Sequence, residues 1–110
     1  MVQNMIVLKD GTEIINGFVS RSSMDQLMIR IPGNNLVQAA MDFSDSNKTE
    51  TIICYNSGYK YTYTGYTDMY TVQYFSDEDY VELWLRPAEG VQTSHTKELN
   101  LPKEYVPGGE

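Results

Sequence analysis

The chain has a single histidine, His95, a single cysteine, Cys54, and one dense carboxylate run, Asp77-Glu78-Asp79. Acid–base and nucleophilic catalysis need a nucleophile within hydrogen-bonding reach of a base, usually histidine. His95 stands in Ser94-His95-Thr96, in a polar stretch that offers nothing to fix its ring, so a solvated, inert imidazole is expected. Cys54, in Thr51-Ile52-Ile53-Cys54-Tyr55, alternates onto the face of Ile52 with no Lys, Arg or His beside it to lower its pKa. A buried small hydrophobe is expected there. The carboxylates, even with Asp68, lack the central Gly and distal Glu of a calcium-binding loop and read as a charged hairpin tip. The chain also lacks a phosphate-binding Gly pattern, a Gly-Xaa-Ser-Xaa-Gly and a His-Glu-Xaa-Xaa-His. These residues predict a non-enzymatic chain with no cofactor and no metal.

The aromatic residues offer a different chemistry, that of contact. Of nine tyrosines, Tyr59, Tyr61 and Tyr63 alternate onto one strand face, and Tyr70 and Tyr74 onto one face of a later strand. Such a ladder serves cross-strand packing beneath a helix. It equally serves a protein interface, where a rigid ring with a polar tip gives contact area at low entropy cost, or the stacking of sugars or bases. Trp84 lies in Val81-Glu82-Leu83-Trp84-Leu85-Arg86, where alternation sets it with Glu82 and Arg86, opposite Val81, Leu83 and Leu85. It reads as an exposed interface anchor or as a ring covered by the C-terminal tail. Tyr59, Tyr61, Tyr63, Tyr70, Tyr74 and Trp84 are therefore the candidate protein-contact residues.

Strands must carry these side chains. The run from Gln3 to Lys9 reads as a strand, Asp10-Gly11 as a two-residue hairpin turn, and Thr12 to Val19 as the returning strand. A polar stretch over residues 20–25 precedes a third strand, Gln26 to Ile31, with Leu27, Ile29 and Ile31 on one face and Pro32-Gly33 as its stop. After a cap at Asn34 or Asn35, Leu36, Ala39, Ala40 and Phe43 recur at helical spacing, with Val37 and Met41 widening the stripe. Ser44 to Lys48 favours turns. Four further strands are expected over 50–55, 59–63, 67–75 and 80–86, with Gly65 a bulge or a sharp bend. The order βββαββββ predicts an α+β fold, mainly antiparallel sheet with one helix packed on one face. Residues 1–88 form this domain, and 89–110 an extended tail, either mobile or lying in a neighbour's groove.

The 110 residues suit one domain. With 41% hydrophobic residues the chain has enough apolar surface to fold rather than stay disordered. Eight basic against fifteen acidic residues give a net charge of −7, which repels phosphate backbones and predicts no nucleic-acid partner. The same charge leaves open mimicry of nucleic acid on a basic protein. One cysteine forms no internal disulfide, which suits a reducing cytoplasm. The opening Met-Val-Gln-Asn-Met-Ile-Val-Leu-Lys-Asp reads as neither a signal peptide nor a membrane span, so no membrane association is expected.

Leu8-Lys9-Asp10-Gly11-Thr12 and the central Tyr63-Thr64-Gly65-Tyr66-Thr67 resemble small accessory proteins of the tail or baseplate modules of Firmicutes phages and prophages. The likeness covers residues 5–86. It implies a virion or host-cytoplasm location and docking onto larger tail or baseplate proteins, or onto copies of itself, without catalytic residues. The alternative is an acidic phage-encoded inhibitor that occupies a basic site on a host defence or nucleic-acid enzyme.

Overall fold

The computed structural model describes residues 4–56 and 58–99. Its nine strands and two helices follow the order β1 Met5–Leu8, β2 Glu13–Ile15, β3 Phe18–Ser22, β4 Leu27–Pro32, α1 Leu36–Phe43, α2 Ser46–Thr49, β5 Thr51–Asn56, β6 Tyr59–Thr64, β7 Asp68–Phe75, β8 Tyr80–Arg86 and β9 Ser94–Leu99. The fold is α+β and mainly antiparallel sheet. The expected single sheet resolves into two, ordered β2-β1-β5-β6-β9 and β3-β4-β8-β7. Hairpins alternate between them: β1–β2 and β5–β6 belong to the first sheet, β3–β4 and β7–β8 to the second.

Local chemistry explains where the chain changes sheets. The run Thr12 to Val19, expected as one strand, breaks at Asn16-Gly17, because Asn16 adopts φ 67. Asparagine tolerates this left-handed conformation better than other residues with a Cβ. The chain leaves the first sheet there and enters the second. Between β6 and β7 the bend falls at Gly65, φ 94, where an added Cβ would lie 2.6 Å from the Gln92 carbonyl oxygen. A glycine alone permits both that angle and that approach. The first hairpin is looser than Asp10-Gly11 suggested. The Gly11 N–H donates to Leu8 O and the Leu8 N–H to Thr12 O, and only Gly11 of the loop has positive φ. That is a three-residue loop closed by a glycine bulge.

The inner faces of both sheets share one core. Ile6, Leu8, Ile52, Cys54 and Tyr63 from the first meet Leu27, Ile29, Ile31, Val81, Leu83 and Leu85 from the second. Leu27, Ile29 and Ile31 do share a buried face, as alternation requires. From α1 only Ala39 and Phe43 enter the core, while Val37 and Met41 are 73% and 63% exposed. The apolar stripe is therefore narrower than expected. Asp42 occupies a buried position on the helix instead, accepting from Lys48 Nζ at 3.0 Å and Gln38 Nε2 at 3.1 Å. The stretch Ser44 to Lys48 holds a capping turn and the short α2, where the Asp45 carboxylate accepts from the Asn47 N–H. Among the described residues no helix is long and apolar enough to cross a membrane.

Within the stretch read as an extended tail, Ser94–Leu99 pairs antiparallel with β6 as the edge of the five-stranded sheet. The remainder of that stretch, residues 100–110, lies outside the described residues, as do Met1, Val2 and the first residue of the first predicted strand, Gln3.

Candidate protein-contact surface

Strand β8 alternates cleanly. Val81, Leu83 and Leu85 are fully buried, and Tyr80, Glu82, Trp84 and Arg86 point the other way. Pairing with β4 sets Met28 opposite Trp84 and Arg30 opposite Glu82. The Glu82 carboxylate accepts from Arg30 Nε at 3.3 Å and from Trp84 Nε1 at 3.0 Å. The half-buried indole thus keeps its polar edge satisfied while the ring stays partly open to solvent. The Arg30 guanidinium lies 4.9 Å from the Tyr80 ring, which in turn stands 5.1 Å from Phe75. Arg86 lies 4.8 Å over the Tyr70 ring and pairs with Asp68 at 2.7 Å. Tyr70 is 6.4 Å from Trp84, and its hydroxyl donates to the Gln26 side chain at 2.7 Å. The outer face of the four-stranded sheet is therefore a continuous patch of Trp, Tyr and Arg, the residue types that dominate the centres of protein interfaces.

The structure divides the six predicted contact residues among three environments. Tyr70 and Tyr74 were expected on one face, but the β7–β8 register shifts between Met69 and Thr71. The bulge gives Tyr70 to the outer face beside Trp84, while Tyr74 packs against the core. The Tyr74 hydroxyl donates to Asp79 at 2.6 Å, and that bond, with burial and the nearby charge, holds its phenol above the usual pKa. Trp84 lies on the outer face, and β9 is in the other sheet, so this part of the tail stretch does not cover it.

The third environment is the ladder of Tyr59, Tyr61 and Tyr63. Successive centroids are 6.3 and 6.4 Å apart, and the ladder runs from the core outward. Tyr63 is buried and Tyr61 and Tyr59 are half-buried. Burial pushes the Tyr63 phenol up to about 12, helped by the neighbouring Cys54, Tyr61 and Tyr66 and opposed by a hydrogen bond with Ser22. A cleft of about 190 Å³ opens beside the ladder, lined by Val19, Ser20, Arg21, Cys54, Tyr61 and Tyr63 among others. Strand β9 completes the ladder from the side. Lys97 Nζ lies 4.4 Å from the Tyr59 centroid and 5.7 Å from that of Tyr61. The His95 ring meets Tyr63 edge-on at 5.1 Å.

His95 differs from expectation in one respect. The residue is exposed, yet its Nε2 contacts the hydroxyl of the fully buried Tyr66. Cys54 is 1% exposed on the face of Ile52, and desolvation raises its thiol pKa. Asp77, Glu78 and Asp79 form the exposed turn between β7 and β8. Among the described residues no cluster of three or more His, Cys, Asp or Glu is placed to hold a metal. Sequence reading missed Arg30, Tyr80 and Met28 as members of the Trp84 patch. The alternation that placed Glu82 and Arg86 beside Trp84 was legible, whereas the partner strand and its register were not. The chain matches no protein-family model, no curated protein and no solved structure.

Proposed function

We propose that this chain is a non-catalytic accessory protein of a phage or prophage tail or baseplate, which joins larger components through protein–protein contacts. The outer face of the four-stranded sheet makes the contact. What supports this reading is Trp84, held on an open sheet face by Glu82 and flanked by Tyr70, Arg30 and Arg86. Its location follows as virion or host cytoplasm, and its partners as proteins, without nucleic acid.

The test is particle incorporation. Tagged wild-type chain and Trp84→Ala are expressed in a strain that carries this gene, particles are induced and purified, and the tag is localised by immunogold labelling. Wild type is expected at the tail end, with Trp84→Ala folded by circular dichroism yet lost from the particles at least tenfold. Absence of wild type from particles overturns the particle reading. Equal incorporation of both overturns the Trp84 face. If wild type is instead recovered on a basic host enzyme, with binding that weakens steeply as salt rises, the chain is the acidic inhibitor.

A further inference from the structure

Strand β9 is unusual among the nine. All six of its residues are exposed, and none joins the core cluster. What holds it is a full antiparallel register with β6, from Tyr59↔Leu99 to Thr64↔Ser94. A few side-chain contacts add to that: His95 with Tyr63 and Tyr66, Lys97 over Tyr59 and Tyr61, and the Thr93 hydroxyl donating to Met24 O at 3.2 Å. A strand with no buried side chain opens at a fraction of the free energy of global unfolding. Once it opens, β6 becomes a sheet edge with unpaired N–H and C=O groups beside a tyrosine ladder, a template for strand addition.

One occupant satisfies that edge with the whole β6 register and the ring contacts of β9 intact, namely the β9 of another copy. Among the described residues, the register and ring contacts of β9 are all with residues 59–66, so they survive an exchange, while the connection over residues 87–93, with its Thr93 bond to Met24 O and its approach to Gly65, takes a new path. That connection has seven residues, folded back by a turn in which the Val91 N–H donates to Ala88 O. We infer that β9 is an exchangeable arm, and that two copies of this chain join by each laying its β9 on the other's β6. This goes beyond the proposed function, since the Trp84 face takes no part in it. The tethered strand competes with an effective concentration on the order of millimolar for a short connection. Exchange therefore belongs to conditions of high local concentration, such as copies arrayed on a common scaffold.

Directly opposed Thr62 and Thr96 provide the test. Full-length Thr62→Cys and Thr96→Cys chains, differing in a size tag, are mixed, incubated at micromolar and at millimolar concentration, then oxidised and run on a non-reducing gel. Neither variant has a partner cysteine in its own ladder and Cys54 is buried, so heterodimer beyond the statistical mixture with the two homodimers that random collision gives requires β9 of one chain on β6 of the other. The expected result is a trace of heterodimer at micromolar concentration and heterodimer as the main oxidised species at millimolar. A third pair, in which both chains also lack residues 89–91, tests the hinge. A connection too short to fold back should bring the heterodimer down to micromolar concentration. Heterodimer that stays at trace level at millimolar overturns the proposal, whatever becomes of the shortened pair. Loss of the Trp84-dependent contact, measured separately, leaves it untouched.

Discussion

The Tyr66 hydroxyl donates to the Ser23 carbonyl oxygen and also meets Nε2 of His95. A phenol has one proton to give, so the imidazole is the donor in the second contact, with its hydrogen on Nε2. Three distant segments meet at one oxygen: the turn between β3 and β4, the crossover between β6 and β7, and the edge strand β9. Removing that oxygen should loosen all three. Tyr66→Phe keeps the buried ring and is expected to lower stability by about 1 kcal/mol in urea unfolding, because the exposed Ser23 and His95 can both turn to water. The same change should speed proteolytic cleavage in the connection over 87–93. Unchanged cleavage would show that the phenol does not help hold β9.

Glu82 is the hinge of the Trp84 patch, since its two oxygens accept from two different donors. In Glu82→Gln one oxygen becomes an NH2, which faces either Arg30 or the indole N–H donor to donor. A cost of about 1 kcal/mol is expected from the lost charge-assisted bond. The sharper readout is Trp84 itself. Its fluorescence emission should shift to the red as the ring loses its anchor, and incorporation into particles should fall with it. A variant with unaltered emission would mean that Glu82 does not orient the indole.

Gly65 and Gly11 share a φ of 94 but differ in surroundings. An alanine at Gly11 has nothing within 4 Å of its Cβ, whereas at Gly65 the Cβ would meet the Gln92 carbonyl oxygen at 2.6 Å and the Thr93 Cα at 3.2 Å. Gly11→Ala should therefore cost only the left-handed conformation, about 1 kcal/mol. Gly65→Ala adds overpacking against backbone, for a total of about 3 kcal/mol. The difference in urea midpoints isolates the close approach. Equal midpoints would mean that the 91–93 segment yields freely.

The elements that sequence disclosed well are those whose signal is local. Strand β8, the buried face of β4 and the core of α1 follow from alternation or helical spacing within one segment, and Cys54 sits where alternation put it. What escaped depends on relations between segments. Asn16-Gly17 is a turn signal inside an apolar run, and its weight becomes clear only because β2 and β3 belong to different sheets. The bulge at Tyr70 has no glycine to mark it, so strict alternation wrongly joined Tyr70 to Tyr74. The polar residues of β9 show no apolar face, because the strand buries none of them. A ladder of main-chain hydrogen bonds leaves no trace in hydropathy, which is why β9 read as part of a tail. Met28, Arg30 and Tyr80 join Trp84 through register, a property that no single segment contains.

Alkaline stability depends on the ladder. Burial raises the Tyr63 phenol from 10.0 to about 12, so the folded chain retains a proton that the unfolded chain sheds. The sign follows from linkage: this contribution is complete below pH 10 and is lost as pH rises toward 12. The buried Cys54 thiol, raised from 9.0 by desolvation, and Lys48, raised from 10.5 chiefly by its hydrogen bond to Asp42, act in the same direction. Tyr63→Phe removes one ionisable group and should flatten, without abolishing, the fall in urea midpoint between pH 10 and 12. Absorbance at 295 nm gives an independent check, because the phenolate signal that Tyr63→Phe removes from the native chain should be one that develops toward pH 12. If Tyr63→Phe leaves the slope unaltered, Tyr63 is open to water in solution and the cleft beside it reaches deeper than its walls suggest.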